Sequence, residues 1–247
     1  ALWEATREHL APLGVTLDYA LFSTYERQVE ALCAGHVDVA LDSPLAHVRV
    51  RRRSDGRARG LAQRDVDRDV TARVVARRDA GIRALGDLEG KTLAVGARDA
   101  AHARILPLHF LARAGVDVAR VALLGFDVDL GKHGDTPGGE LEALAALHAG
   151  KAHAAVVGAA VLASEQAAGR VDPRVVEPLW STPPFSRHML DAAPGLSSDR
   201  AQALTRVLLE IRASNAKHKK LMELAGHRLW IPAREDGYAE LEAALGE

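Results

Sequence analysis

Ala-Leu-Cys-Ala-Gly-His-Val-Asp-Val-Ala (residues 31–40) and Ala-Leu-His-Ala-Gly-Lys-Ala-His-Ala-Ala (residues 146–155) decide how this chain folds. Each stretch leaves a helical pattern, stops at a glycine and enters a short apolar run. Gly35 and Gly150 suit the left-handed conformation that ends helices, and the apolar runs after them read as buried strands. The same device in both halves predicts two α/β lobes of related build.

Outward from the first copy, residues 25–34 form a helix with Ser23 and Thr24 as caps. Residues 16–22 alternate and are rich in strand formers, and residues 3–13 have helical periodicity until Gly14. Pro44 fits the first turn of a helix reaching about residue 52, and residues 71–77 read as a strand. Around the second copy, strands are predicted at 91–95, 121–126, 154–157 and 174–180, and helices at 101–114, 140–149 and 161–168. From residue 198 the pattern is helical, with Asp236 and Gly237 opening the last piece. Such alternation predicts mostly parallel sheets with helices on both faces. Ligands of open α/β sheets bind beyond the carboxyl ends of the strands, so the loops that follow the strands should face a cleft between the lobes.

Composition narrows the function. With 32 basic and 33 acidic residues the chain lacks the excess positive charge of a nucleic-acid surface. Its one basic cluster, residues 49–53, reads as a solvated helix end. Hydrophobic residues make up 48%, enough for a core without disulfides, and the single Cys33 allows none within the chain. Cys33 sits in an apolar stretch and is expected to pack as a small buried hydrophobe. No apolar run reaches the roughly 18 residues of a membrane span. No P-loop ending follows the glycines at 134–139, and no Gly-x-Ser-x-Gly elbow occurs.

Several segments together resemble one family. Asp-Leu-Glu-Gly-Lys-Thr-Leu-Ala-Val (87–95) resembles the entry to the second lobe of type 2 periplasmic binding proteins. Tyr25 through Leu32, followed by residues 34–40, is similar to their first-lobe helix and strand. Ser43-Pro44-Leu45-Ala46-His47, the stretch from His133-Gly134-Asp135 to Gly138-Gly139-Glu140, and Thr182-Pro183-Pro184-Phe185 resemble segments of the phosphate, phosphite and phosphonate branch. The resemblance implies a two-lobed α/β solute-binding protein with mixed sheets flanked by helices and a cleft between the lobes. The first lobe would comprise residues 1–82 and 186–247, the second 83–185, with hinges near 77–87 and 180–190. It also implies that the fold's first strand precedes Ala1. The implied partners are a small polar, anionic molecule of the phosphonate-like class and an ABC transporter permease. The implied setting is periplasmic or otherwise extracytoplasmic, with the protein monomeric and no cofactor.

An oxyanion needs donors in fixed positions, and helix N-termini supply backbone N–H groups. Candidate N-termini follow Thr24, Ser43 and Asp99. Tyr25, Asp42, Ser43 and His47 would lie at the ligand in the first lobe, joined by Arg187 and His188. Asp99, His102, Lys132, His133, Asp135 and Thr136 would do so in the second. The chain departs from the branch after Asp99, where Ala100, Ala101 and His102 replace hydroxyl residues. Asp42 also puts a carboxylate beside an expected anion site. A second reading is therefore an enzyme on the same fold, cytoplasmic, with His47 and His133 as acid–base groups. In that reading His47, His102, His133 and His188 can also hold a divalent metal, although no pair has His-x-x-x-His spacing. A third is a scaffold without a natural ligand.

Overall fold

In chain order the helices are α1 (Leu2–Leu10), α2 (Tyr25–Cys33), α3 (Pro44–Arg53), α4 (Leu106–Arg113), α5 (Gly138–His148), α6 (Ala159–Ala167), α7 (Ser198–Glu210), α8 (Ala216–Ala225) and α9 (Ala239–Leu245). The strands are β1 (Val39–Asp42), β2 (Arg59–Arg64), β3 (Ala72–Arg77), β4 (Thr92–Val95), β5 (Ala122–Gly125), β6 (Ala154–Gly158), β7 (Val176–Ser181), β8 (Met189–Ala192) and β9 (Trp230–Pro232). The structure is a computed structural model and describes residues 2–128, 130–132 and 137–246. The chain divides into two compact units, one of Ala1–Arg68 with Ser186–Gly237 and one of Asp69–Phe185 with Tyr238–Glu247.

The repeated device forms in both halves. Gly35 (φ 74°) and Gly150 (φ 72°) take the left-handed conformation after α2 and α5. His36 N–H bonds back to Ala31 O at 2.8 Å, and Lys151 N–H to Ala146 O at 2.9 Å. Both bonds close the helix end, and β1 and β6 start a few residues on.

The first unit holds a sheet in the order β1-β8-β2-β9. All its ladders are antiparallel. Leu61, Leu190, Leu208, Ile211, Leu221 and Met222 pack its core. The second unit holds a sheet in the order β5-β4-β6-β3-β7. Here β4 runs parallel to β5 and β6, while β3 runs antiparallel to β6 and β7. Val75, Ala94, Leu147, Ala155, Val157 and Leu162 form its core. Each fully buried Val, Leu, Ile or Met side chain among these contributes about 1.5–3 kcal/mol.

Several expectations are corrected. The mostly parallel pairing that the alternation predicts is not found: the described ladders of the first sheet are antiparallel, because β2, β8 and β9 were not legible as strands, and the second sheet is mixed, as the resemblance implies. β2 begins and ends in arginine, and β8 carries Asp191 in its middle, so neither reads as an apolar run. β9 interrupts the helical tail. Residues 16–22 form no strand; Leu17 packs against the core, while Tyr19 and Leu21 are exposed, Leu21 at 75%. Cys33 is partly exposed rather than buried. The segment 101–114 is helical, but its first part, Ala101–Ile105, is a wider π-turn.

Candidate functional site

In the first unit, β1 delivers Asp42 and Ser43 to the start of α3. Ser43 Oγ accepts from Ala46 N–H at 3.3 Å, and Pro44 takes the first helical position, where no N–H is needed. His47 follows one turn later and is fully buried. Its Nδ1 lies 2.8 Å from Asp191 Oδ2, and its Nε2 lies 3.0 Å from Glu235 Oε2. Arg51 pairs with the same Glu235 at 2.5 Å. Asp191 stands opposite Ala40 in the β1–β8 ladder, so Asp42, two residues along, shares its face. Gln28 Nε2 donates to Asp42 Oδ1 at 2.6 Å.

The electrostatics of this cluster follow from burial and charge. Burial, then the nearby Asp191 carboxylate, push Asp42 well above the usual carboxylate range. Burial disfavours the charged form of His47, but Asp191 and Glu235 outweigh it and raise the imidazole to about 9. Burial likewise works against the Glu235 carboxylate, yet the bonds to His47 and the charge of Arg51 lower it to about 2. His47 is thus an imidazolium with a carboxylate on each ring nitrogen.

Tyr25 is buried, and its hydroxyl accepts from Arg49 Nη1 at 2.7 Å. The Arg49 guanidinium also sits 5.1 Å from the Tyr25 ring centre and pairs with Glu26 at 2.7 Å. Two arginines of the basic run, Arg49 and Arg51, are therefore paired and not simply solvated. Arg187 and His188 both meet buried Asp67, Arg187 through its backbone and His188 through its ring. Arg187 N–H donates to Asp67 O at 2.7 Å. His188 Nδ1 lies 3.1 Å from Asp67 Oδ1, and Arg64 Nη2 bonds that same oxygen at 2.9 Å. Burial opposes the charge on Asp67, but His188 and Arg64 prevail and hold its carboxyl far below the ordinary range.

In the second unit, the loop after β4 leads to buried Asp99, whose Oδ2 accepts from Gly131 N–H at 2.8 Å. This bond ties Asp99 to the loop that carries exposed Lys132. His133, Asp135 and Thr136 lie outside the described residues. His102, in the π-turn, is 3% exposed, and its Nε2 lies 2.7 Å from Oε2 of Glu140, which is 1% exposed. Glu140 Oε1 accepts the N–H of Gly158, the residue that caps α6. Space for a side chain is tight around this contact. A Cβ on Gly158 would sit 2.9 Å from Glu140 Oε1, and one on Gly139 would sit 3.0 Å from Phe126 O and 3.1 Å from Gly96 Cα.

The structure thus brings Asp42, Ser43 and His47 together, and Arg187 with His188 at Asp67. It gives His102 a partner, Glu140, that was read only as a helix start. Asp67, Asp191 and Glu235 were missed as well. The available signal was a charged residue inside or beside an apolar strand, which in a folded chain must find a partner. Among the described residues no group of three or more His, Cys, Asp or Glu is placed to hold a metal ion. No helix among them is long and apolar enough to cross a membrane.

Residues 1–238 match the family model described as ABC transporter, phosphonate, periplasmic substrate-binding protein. The chain belongs to that family. Among solved structures, it is similar to PhnD1 from Prochlorococcus marinus in complex with methylphosphonate, with TM-score 0.75 and 19% identity over 98% of this chain and 90% of that one. It is also similar to XAC2383 from Xanthomonas citri bound to ATP, with TM-score 0.78 and 20% identity over 99% and 91%. The aliphatic sulphonate binding protein SsuA from Escherichia coli aligns at TM-score 0.59 and 14% identity over 99% and 74%. At these identities the structures establish the shared fold. No curated protein sequence matches the chain. Membership bears out the resemblance read from the segments above, and with it a solute-binding role for this phosphonate-family protein. The enzyme reading gains no support from any of these matches.

Proposed function

We propose that this family member captures a small polar anion of the phosphonate-like class and passes it to an ABC transporter permease. The observation that carries this is the family match across nearly the whole chain. It acts as a monomer outside the cytoplasm, where such a receptor meets its solute. In the second unit the contacts we assign are His133, Asp135 and Thr136, and also Asp99 and Lys132, the last two on loops that follow the carboxyl ends of β4 and β5. That is where open α/β sheets bind ligands. In the first unit they are Tyr25, Ser43, Arg187 and His188. Asp42 and His47 act behind them, fixing the start of α3 through Asp191 and Glu235.

A thermal-shift screen over phosphonates, phosphite, sulfonates and carboxylates tests this proposal. A ligand at about 100 times its Kd adds about 2.7 kcal/mol, which raises Tm by several degrees in a chain of this size. Lys132→Ala and Arg187→Ala are expected to weaken that response, and Lys132→Ala, at an exposed position, should leave the ligand-free Tm nearly unchanged. Full retention of the response in both variants would contradict the assignment of those two contacts.

A further inference from the structure

The loop after Asp99 carries no hydroxyl: Ala100 and Ala101 precede His102, and the imidazole is aimed at Glu140. Glu140 lies in the first turn of α5; its Oε2 lies 2.7 Å from His102 Nε2, and its Oε1 accepts the Gly158 N–H. An imidazole N–H and a backbone N–H at a helix start are each donors that suit an oxyanion. The position also lies where β4 and β6, parallel neighbours, end. The chain's own carboxylate fills it, so closely that a Cβ on Gly158 would sit 2.9 Å from Glu140 Oε1 and 3.5 Å from the His102 ring.

We propose that the Glu140 carboxylate is a built-in occupant of an oxyanion position in the second unit, and that it sets specificity by denying those donors to an ionised ligand. This rests on the solute-binding reading for its biological sense, but its physical content is independent of it. A second full negative charge beside a buried carboxylate is strongly disfavoured, because the low-dielectric interior screens little. An oxyanion therefore has to use donors other than His102 and Gly158.

Removing the carboxylate should expose the position to carboxylate-sized anions. The probes are sodium formate, acetate, phosphate and methylphosphonate, with matched sodium chloride as the salt control. Glu140→Ala is expected to melt lower than the wild type and to regain roughly 5–10 °C in saturating formate. The wild type should not respond to formate. Glu140→Gln, which keeps the volume, should not respond either, and Glu140→Ala with His102→Ala should lose the response. By calorimetry, Glu140→Ala should bind methylphosphonate at least about tenfold more tightly than the wild type. Glu140→Ser, smaller but polar, repeats the test if the alanine variant folds poorly.

The proposal is overturned if neither small variant gains a formate response beyond chloride, including the case in which both stay unfolded in formate. It is equally overturned if the wild type responds as strongly as they do. A formate response in the variants, with no wild-type ligand anywhere in the polar panel, would sink solute binding and leave this inference standing. The reverse pattern would do the opposite.

Discussion

His47→Gln offers a quantitative test of how the first unit is held together. Glutamine keeps donor capacity toward Asp191 but does not titrate. In the folded protein His47 is raised from 6.5 to about 9, and the ring is fully buried. The difference of roughly 2.5 units, at 1.36 kcal/mol each, corresponds to about 3 kcal/mol. The pKa is raised in the folded state, so this stabilisation is fully present below pH 6.5 and is lost as the pH rises through 9. Urea unfolding of wild type and variant, both in a Trp180→Phe background, leaves Trp3 and Trp230 to report on the first unit. The stability gap between the two proteins should shrink by about 3 kcal/mol between pH 6 and pH 10. Cys and Tyr ionise over that range in both proteins and cancel in the difference. A gap that stays constant to within about 1 kcal/mol would refute the charged His47 network.

Three further outcomes follow from the same structure. Asp42→Asn keeps an acceptor for Gln28 and removes a carboxyl whose raised pKa makes the wild type lose stability as pH rises, so the variant should gain on the wild type between pH 5 and pH 8 in the same urea assay. Asp67 is depressed, so its contribution is present at neutral pH and lost as pH falls; Asp67→Asn should destabilise the first unit by about 1–3 kcal/mol at pH 7 and by progressively less toward acid. Gly139→Ala drives a Cβ against the backbone of Phe126, Gly96 and Ala97, which cannot rotate away, and should cost the second unit about 1–3 kcal/mol as read by Trp180 fluorescence.

Much of the second unit was legible because its elements obey simple periodicities. β4, β6 and α5 are short apolar runs or glycine-stopped helices, and the stop at Gly150 is chemically explicit. The first unit was harder to read. β8 pairs with both β1 and β2, yet its central Asp191 hides it, and β2 is hidden by its terminal arginines. A strand that buries a carboxylate is stable only because His47, from a helix near in space and far in sequence, neutralises it, and local pattern carries no trace of that pairing. The same holds at Glu140, which reads as an ordinary first-turn acid on α5. Only the fold brings it to His102 and Gly158. His47 was singled out because histidine beside Ser43 and Pro44 looks chemical; the structure shows both ring nitrogens already committed to carboxylates.

Isothermal titration of the purified chain with methylphosphonate, phosphite, phosphate, alkanesulfonates and small carboxylates tests solute capture most directly. The account predicts saturable one-to-one binding of at least one of these anions, weakened by Lys132→Ala or Arg187→Ala. No measurable heat with any of them, matched by no shift in Tm, would contradict it.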